Sequence, residues 1–343
     1  MSKSTVSVRK KRKHFSYFDV LQNLFPWKGD PVKEKIRKIV FLISVIVFSV
    51  CAYYVFDYYY ENYKNNKLYD DLRKQIPELS EMISPEISNS VASDEIRSEI
   101  QKLMEINGDI VGYIRIRDKN GSCADTQVDY PILQKTNEEE SEFYLNHNLR
   151  NEWTDAGSIF LDWRNVIGTA DQSDNLIVYG HQRLDGSMFG SLSKYKEYNY
   201  FYGEHPCIEL TTRYDQSIYK IFGFFYAYGG EGENDFDYFN HLDFYSEEDF
   251  YWYVNQVKRR TFRVNDVDVK YGDDLLTLST CSTDTFEEAR FVVVARKLRP
   301  GEDLYSGTEN SSTNTNVLYP DQYYKESSEE KKYDESLFVP YGG

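Results

Sequence analysis

Residues 275–298 read LLTLSTCSTDTFEEARFVVVARKL, two apolar runs of strand length joined by a polar connection. Aliphatic and β-branched residues dominate both runs, which suits buried strands. Cys281 sits where the first run ends and Arg290 where the second begins. If the two strands pair as neighbours, both side chains emerge at one end of a sheet. A guanidinium beside a thiol favours the thiolate and can also hold an oxyanion. Spacing alone leaves the blander reading open, in which the cysteine is buried and the arginine merely lies on the surface.

Working outward, residues 175–195 read NLIVYGHQRLDGSMFGSLSKY. His181 again lies just past an apolar strand, after Gly180. A cysteine nucleophile needs a histidine close in space as its acid and base. The chain has 5 histidines. His14 belongs to the basic N-terminal segment, and His147, His205 and His241 are the competitors. His181 has the best context because a rigid strand would hold it, although an isolated histidine is more often a surface or core residue.

The rest of the chain carries many short strands and few helices. Strands are expected over residues 110–116, 128–133 (broken by Pro131), 157–161, 176–180, 207–212, 218–226, 275–280 and 291–298. One helix should begin with a cap at Ser93, carry Ile96, Ile100, Leu103 and Met104 on one face, and stop near Asn107 and Gly108. A short helical stretch is expected over 190–195. Another helix should open with the capping pattern at Ser246 and run to about Arg260. This order favours a β-barrel or sandwich. The 31 tyrosines among 343 residues lean the same way, because tyrosine suits strands and half-wet surfaces.

Charge divides the chain. Residues 1–38 carry 11 Lys and Arg against 3 Asp and Glu, whereas the remainder carries 29 against 53. An acidic body argues against nucleic acid as its partner. Between the two lies IVFLISVIVFSVCAYYVF at 39–56, 18 residues without a charge, which meets the length criterion for a membrane span. Lys10, Lys11, Arg12, Lys13, Arg37 and Lys38 precede it, so the N-terminus should be cytoplasmic and the body outside. No small-residue cleavage site follows the apolar run, so the segment reads as an anchor rather than a removed leader. The expected organisation is a basic cytoplasmic segment at 1–38, a transmembrane helix at 39–58, a stalk at 59–94, a catalytic domain at 95–299 and a polar, mobile tail at 300–343. Of the 4 cysteines, Cys51 falls in the span. Cys123, Cys207 and Cys281 remain, an odd number, so at least one thiol stays free or pairs with another chain.

TLSTC at 277–281 resembles the active-site stretch of the sortases, a strand ending in T-L-x-T-C, and Arg290 matches the sortase arginine. VYGHQRLDGSMFGSL at 178–192 and YLNHNLRNEWTDAGSIFLDWRN at 144–165 are similar to the class B pattern, as are GDIVGYIRI at 108–116 and VDYPILQ at 128–134. The resemblance covers roughly residues 95–298. It implies a mostly-β fold, an eight-stranded sortase barrel with an N-terminal helix and an added helix before the cysteine strand. It implies Cys281 as nucleophile, His181 as general acid and base, and Arg290 as the group that steadies the oxyanion. The implied activity is that of a membrane-anchored thiol transpeptidase of Gram-positive bacteria. Such an enzyme cleaves a sorting signal of the N-P-x-T-x or S/P-P-x-T-x type after Thr and passes the acyl group to a peptidoglycan amine. Its partners would be surface proteins bearing that signal, with no cofactor and no metal. The acidic run at Glu138, Glu139 and Glu140 reads as a solvated charge cluster, not a calcium site.

Ser279 shares a strand face with Cys281, and Ser279, Thr280 and Asn148 are candidate substrate contacts. Two other readings stay open: a sortase-like scaffold that binds sorting peptides without turnover, and a pilin-polymerising sortase. A cell-wall L,D-transpeptidase would carry a histidine two residues before its cysteine, where this chain has Ser279. The enlarged acidic loop at 231–239 and the tyrosine-rich tail depart from the family pattern.

Overall fold

The computed structural model describes residues 17–84, 95–230, 236–282 and 285–342. The chain divides into two compact units, residues 1–61 and 62–343.

The first unit holds α1 (Tyr17–Leu24) and the beginning of α2 (Val32–Gln75). Lys38 Nζ donates to Gln22 O and to the Asp30 carboxylate, each at 2.7 Å. α2 is long and apolar enough to cross a membrane, and its apolar stretch is not buried in protein. The sequence suggests boundaries near 38 and 58, yet one helix runs through both. No proline or glycine interrupts residues 32–75, and Pro77 stands just beyond the end.

In the second unit the segment expected as a stalk becomes part of the core. Tyr69, Leu72, Ile76 and Leu79 are buried in the main apolar cluster. Burying each such side chain is worth roughly 1.5–3 kcal/mol, enough to fasten the helix end to the barrel. α3 (Ser98–Ile106) follows, with Arg97 before it and Asn107 ending it as expected. The anticipated cap Ser93 lies outside the described residues.

Eight strands close a barrel in the order β1-β2-β3-β4-β8-β9-β6-β5. They are β1 (Ile110–Arg115), β2 (Asp129–Leu133), β3 (Ile159–Leu161), β4 (Asn175–Tyr179), β5 (Cys207–Thr212), β6 (Gln216–Tyr228), β8 (Leu275–Cys281) and β9 (Ala289–Lys297). β2 pairs with β3, and β4 with β8, in parallel; the remaining ladders are antiparallel. The stretch expected to be helical at 190–195 becomes a 3₁₀ turn at Gly190–Ser193 and the short α4 (Lys194–Glu197), with α5 (Phe201–Glu204) after it.

β8 is buried on both faces, which explains its near-continuous apolar reading. Leu276 and Leu278 join the main core, whereas Leu275 faces a second cluster beneath α6 (Glu247–Arg260). Ser246 caps α6 by accepting from Asp249 N at 3.1 Å. Phe250, Tyr253, Val254 and Val257 face that second cluster, and the Tyr253 hydroxyl lies 3.2 Å from Thr277 Oγ1 on the cysteine strand.

Residues 300–342, expected to form a mobile tail, are instead tied to the barrel at several points. Glu302 accepts from Lys220 at 2.8 Å and from Arg296, two cations with no exposed surface. β10 (Ser312–Thr313) pairs with β7 (Arg263–Val264), and α7 (Asp321–Ser327) follows. Tyr341 N donates to Asn255 Oδ1 at 2.7 Å and its ring meets Phe222. Composition misled here because the segment anchors through scattered tyrosines and ion pairs, not through an aliphatic stripe.

Candidate active site

β4 and β8 run parallel with Tyr179 opposite Ser279. Gly180 N still donates to Ser279 O at 3.2 Å, and His181 follows just past the end of β4, at the end of the barrel where β8 finishes with Cys281. On the other side β8 pairs with β9, and Cys281 stands opposite Arg290. All three residues line one groove of about 360 Å³.

The chain is tightly confined on the way to His181. A Cβ at Gly180 would lie 2.4 Å from Ile159 Cδ1 and 2.9 Å from the Phe189 ring, so a larger residue before the histidine would have to push both side chains aside. His181 Nε2 lies 2.7 Å from Leu145 O. A carbonyl can only accept, so Nε2 carries the proton and Nδ1 is the nitrogen left to exchange one. The other described histidines are engaged elsewhere. His147 stacks on Phe143 with its Nδ1 2.8 Å from Phe143 O, and His205 is buried. His241 packs against Trp252 and Tyr253, and burial lowers its pKa.

Arg290 has a fixed seat. Its Nη2 donates to Glu288 Oε2 at 2.9 Å and its Nη1 to Ala289 O at 3.2 Å. The guanidinium lies over Gly229, where a Cβ would come within 2.7 Å of Cζ. The guanidinium and the glycine therefore occupy one another's space.

The cysteines separate by environment. All four are free thiols, so Cys123 and Cys207 are not bridged. Burial pushes Cys123 and Cys207 each up to about 12, which keeps them as unreactive thiols. Among the described residues, Cys281 is the cysteine that lines the groove.

The candidate substrate contacts fare differently. Ser279 lines the groove but is only 2% exposed, and its hydroxyl lies 2.6 Å from Tyr238 Oη. Burial pushes the Tyr238 phenol up to about 12, so it stays neutral in this bond. Thr280 also reaches the groove, and its buried Oγ1 has no hydrogen-bond partner among the described residues. Asn148 is not at the groove. Its Oδ1 accepts from Arg150 N and Glu152 N at 2.8 and 3.1 Å, which builds a turn.

Sequence reasoning overlooked the groove's aromatic wall. Phe160, Trp163, Tyr179, Tyr238 and Phe239 line it beside Leu145. Leu145, Phe160, Trp163 and Tyr179 lie in the stretches already singled out at 144–165 and 178–192. Tyr238 had no local signal, because its partner Ser279 is 41 residues away. Tyr179 Oη donates to Asp162 Oδ2 at 2.9 Å, and Arg164 holds the same carboxylate with two bonds.

Comparison with known proteins fits this arrangement. A family model described as the sortase domain matches residues 123–298. Sortase B of Listeria monocytogenes is 31% identical over 266 residues, 76% of this chain and 96% of that protein. A Staphylococcus aureus sortase B–substrate complex superposes with a TM-score of 0.54 at 27% identity, covering 70% of this chain and 97% of that one. A sortase B structure from Bacillus anthracis gives 0.55 at 29% identity, covering 69% and 97%. A closed eight-stranded barrel with the cysteine strand between β4 and β9 thus has both sequence and structural kin of one kind, and the chain belongs to the sortase family of cysteine transpeptidases, in class B.

Proposed function

We propose that this chain is a single-pass membrane transpeptidase whose catalytic unit faces away from the cytoplasm. It cleaves a C-terminal sorting signal of the N-P-x-T-x or S/P-P-x-T-x type after Thr and transfers the acyl group to a cell-wall amine. The observation that carries the reading is that His181, Cys281 and Arg290 line one groove, with Cys281 and Arg290 opposite each other in the ladder. The existence of a substrate complex of S. aureus sortase B supports a peptide in the corresponding groove. The basic residues before the apolar helix support the orientation.

In this mechanism Cys281 gives its thiol proton to His181 Nδ1, and its Sγ attacks the carbonyl carbon of the Thr residue. Arg290 presents N–H donors to the oxygen as it gains charge, which requires it to share or leave its bond to Glu288. His181 delivers a proton to the departing amine, the C–N bond breaks, and a thioester on Cys281 remains. An incoming amine then attacks the thioester and loses its proton to His181. The C–S bond breaks and a new amide forms. Splitting one amide exchange into two steps lowers each barrier, and an amine in place of water makes the outcome ligation.

The test is mass spectrometry on full-length protein in detergent micelles, given a sorting peptide and a glycine-based amine. The expected products are a peptide cut after Thr, a ligated adduct and an acyl-enzyme on a Cys281 fragment. Cleavage at another bond, or an adduct on another residue, would refute the reading.

A further inference from the structure

The connection between Cys281 and Arg290 is not free-standing. Ser282 N donates to Ala289 O at 2.8 Å across its two ends, and Glu288 is held at a φ of +55°. A non-glycine residue keeps that conformation only where its surroundings enforce it. One restraint is Gly229 N, which donates to Glu288 O at 2.8 Å. The others come from beyond the barrel. Glu326, on α7 in the C-terminal segment, accepts the Glu287 N–H with both carboxylate oxygens at 3.1 Å. Tyr323, one turn earlier on α7, meets Phe286 edge-on with centroids 6.1 Å apart and stacks on Tyr319 at 4.2 Å. Tyr319 in turn packs on Phe262.

These contacts grip the two residues just before Glu288, and Glu288 is the carboxylate that holds Arg290. We infer that Glu326 and Tyr323 are positioning residues for transpeptidation: through the loop at 285–288 they fix the place of Arg290 opposite Cys281. The inference rests on Cys281 and Arg290 doing the chemistry proposed above. A donor that must meet a developing oxyanion tolerates little displacement, since a shift of about 1 Å can cost on the order of 100-fold. Glu326 is itself exposed, so its removal leaves the core intact.

The test uses the full-length chain in detergent micelles and a fluorescence-quenched N-P-x-T-x peptide. Glu326→Ala should lower kcat by about 3- to 10-fold with little change in KM, because Arg290 is displaced but not removed. Tyr323→Ala should do the same. Glu326→Gln keeps an oxygen for the Glu287 N–H and should restore most of the rate. Arg290→Lys already lacks the fork that the loop positions, so adding Glu326→Ala to it should cost nothing further. A merely structural role would lower the melting temperature and leave kcat per folded enzyme unchanged, which would overturn the inference. So would losses that multiply in the double variant. If Arg290→Lys turned over normally, the reading of the site would fall; if only Glu326→Ala and Tyr323→Ala did, the site would stand and the inference alone would fall.

Discussion

Cys281, the last residue of β8, stands opposite Arg290, the second residue of β9, in the antiparallel ladder between them. The ladder is continuous from Leu275 and Arg296 to this pair, so backbone hydrogen bonding sets where the two side chains leave the sheet, and the bond to Glu288 then seats the guanidinium. On the other side the parallel β4 ends at Tyr179, and His181 follows two residues later, after Gly180 N bonds Ser279 O. Groups carried on adjacent rigid strands are held more closely than groups on loops can be.

Removing the thiol should therefore end the chemistry without unfolding the domain. Cys281→Ala is expected to abolish cleavage of a sorting peptide while circular dichroism and the melting temperature stay as in the parent. Cys123→Ala and Cys207→Ala should each keep most of the activity, since both thiols are half-buried, lie away from the groove and are held in the protonated form. Normal turnover by folded Cys281→Ala would overthrow the assignment.

His181 and Arg290 should fail by different amounts and for different reasons. Loss of a proton-transfer group commonly costs 10²- to 10⁴-fold, roughly, and His181→Ala should fall in that range. Loss of an oxyanion donor commonly costs about 10²- to 10³-fold, and Arg290→Ala should show it. Arg290→Lys keeps the charge but not the two-pronged geometry, so it should remain poor. Steady-state kinetics on the three variants decide the matter; a rate near the parent's in either alanine variant would exclude the role given to that residue.

Ser279 should prove a structural neighbour of the site. Tyr238→Phe leaves its buried hydroxyl without the phenol and should destabilise the protein by about 1–3 kcal/mol. Ser279→Ala together with Tyr238→Phe should recover part of that loss, because both polar ends are then gone. Chemical denaturation of the two single variants and the double one measures the coupling, and strictly additive losses would argue against it.

Glu302 ties the C-terminal segment to the barrel in a pH-dependent way. Burial alone raises its carboxyl, but bonds from Arg296 and Lys220 outweigh that and hold it at about 2, below the ordinary 4.5. A depressed carboxylate stabilises the fold fully above its unfolded pKa and loses that contribution as pH falls towards its folded one. Stability from this group should thus fade between about pH 4.5 and pH 2. Glu302→Gln leaves two fully buried cations under-compensated and should cost roughly 3–5 kcal/mol at neutral pH. Melting curves from pH 7 downward should show a flatter acid limb in the variant; identical limbs would refute this.

Topology has its own test. Protease added to intact protoplasts should remove the catalytic unit and leave a small basic N-terminal fragment. A protected catalytic unit would reverse the orientation.

The sequence alone determined the β-rich class, the apolar helix and the order of the chemical motifs. It did so because those features are local: alternation and apolar runs mark strands, charge-free length marks a span, and Gly180-His181 and TLSTC sit at strand ends. Strand limits came out within a few residues, and residues 207–212 and the helix ending at Arg260 agreed outright. Tertiary structure decided what depends on partners far apart in sequence. Only the fold shows that Leu145 O selects the His181 tautomer across 36 residues, and that Tyr238 occupies Ser279. It also shows that residues 69–83 and 300–342 belong to the folded body. Those two segments are polar on average, so composition reads them as spacer and tail. Their few apolar and charged side chains find their partners only once the barrel has brought those partners to its surface.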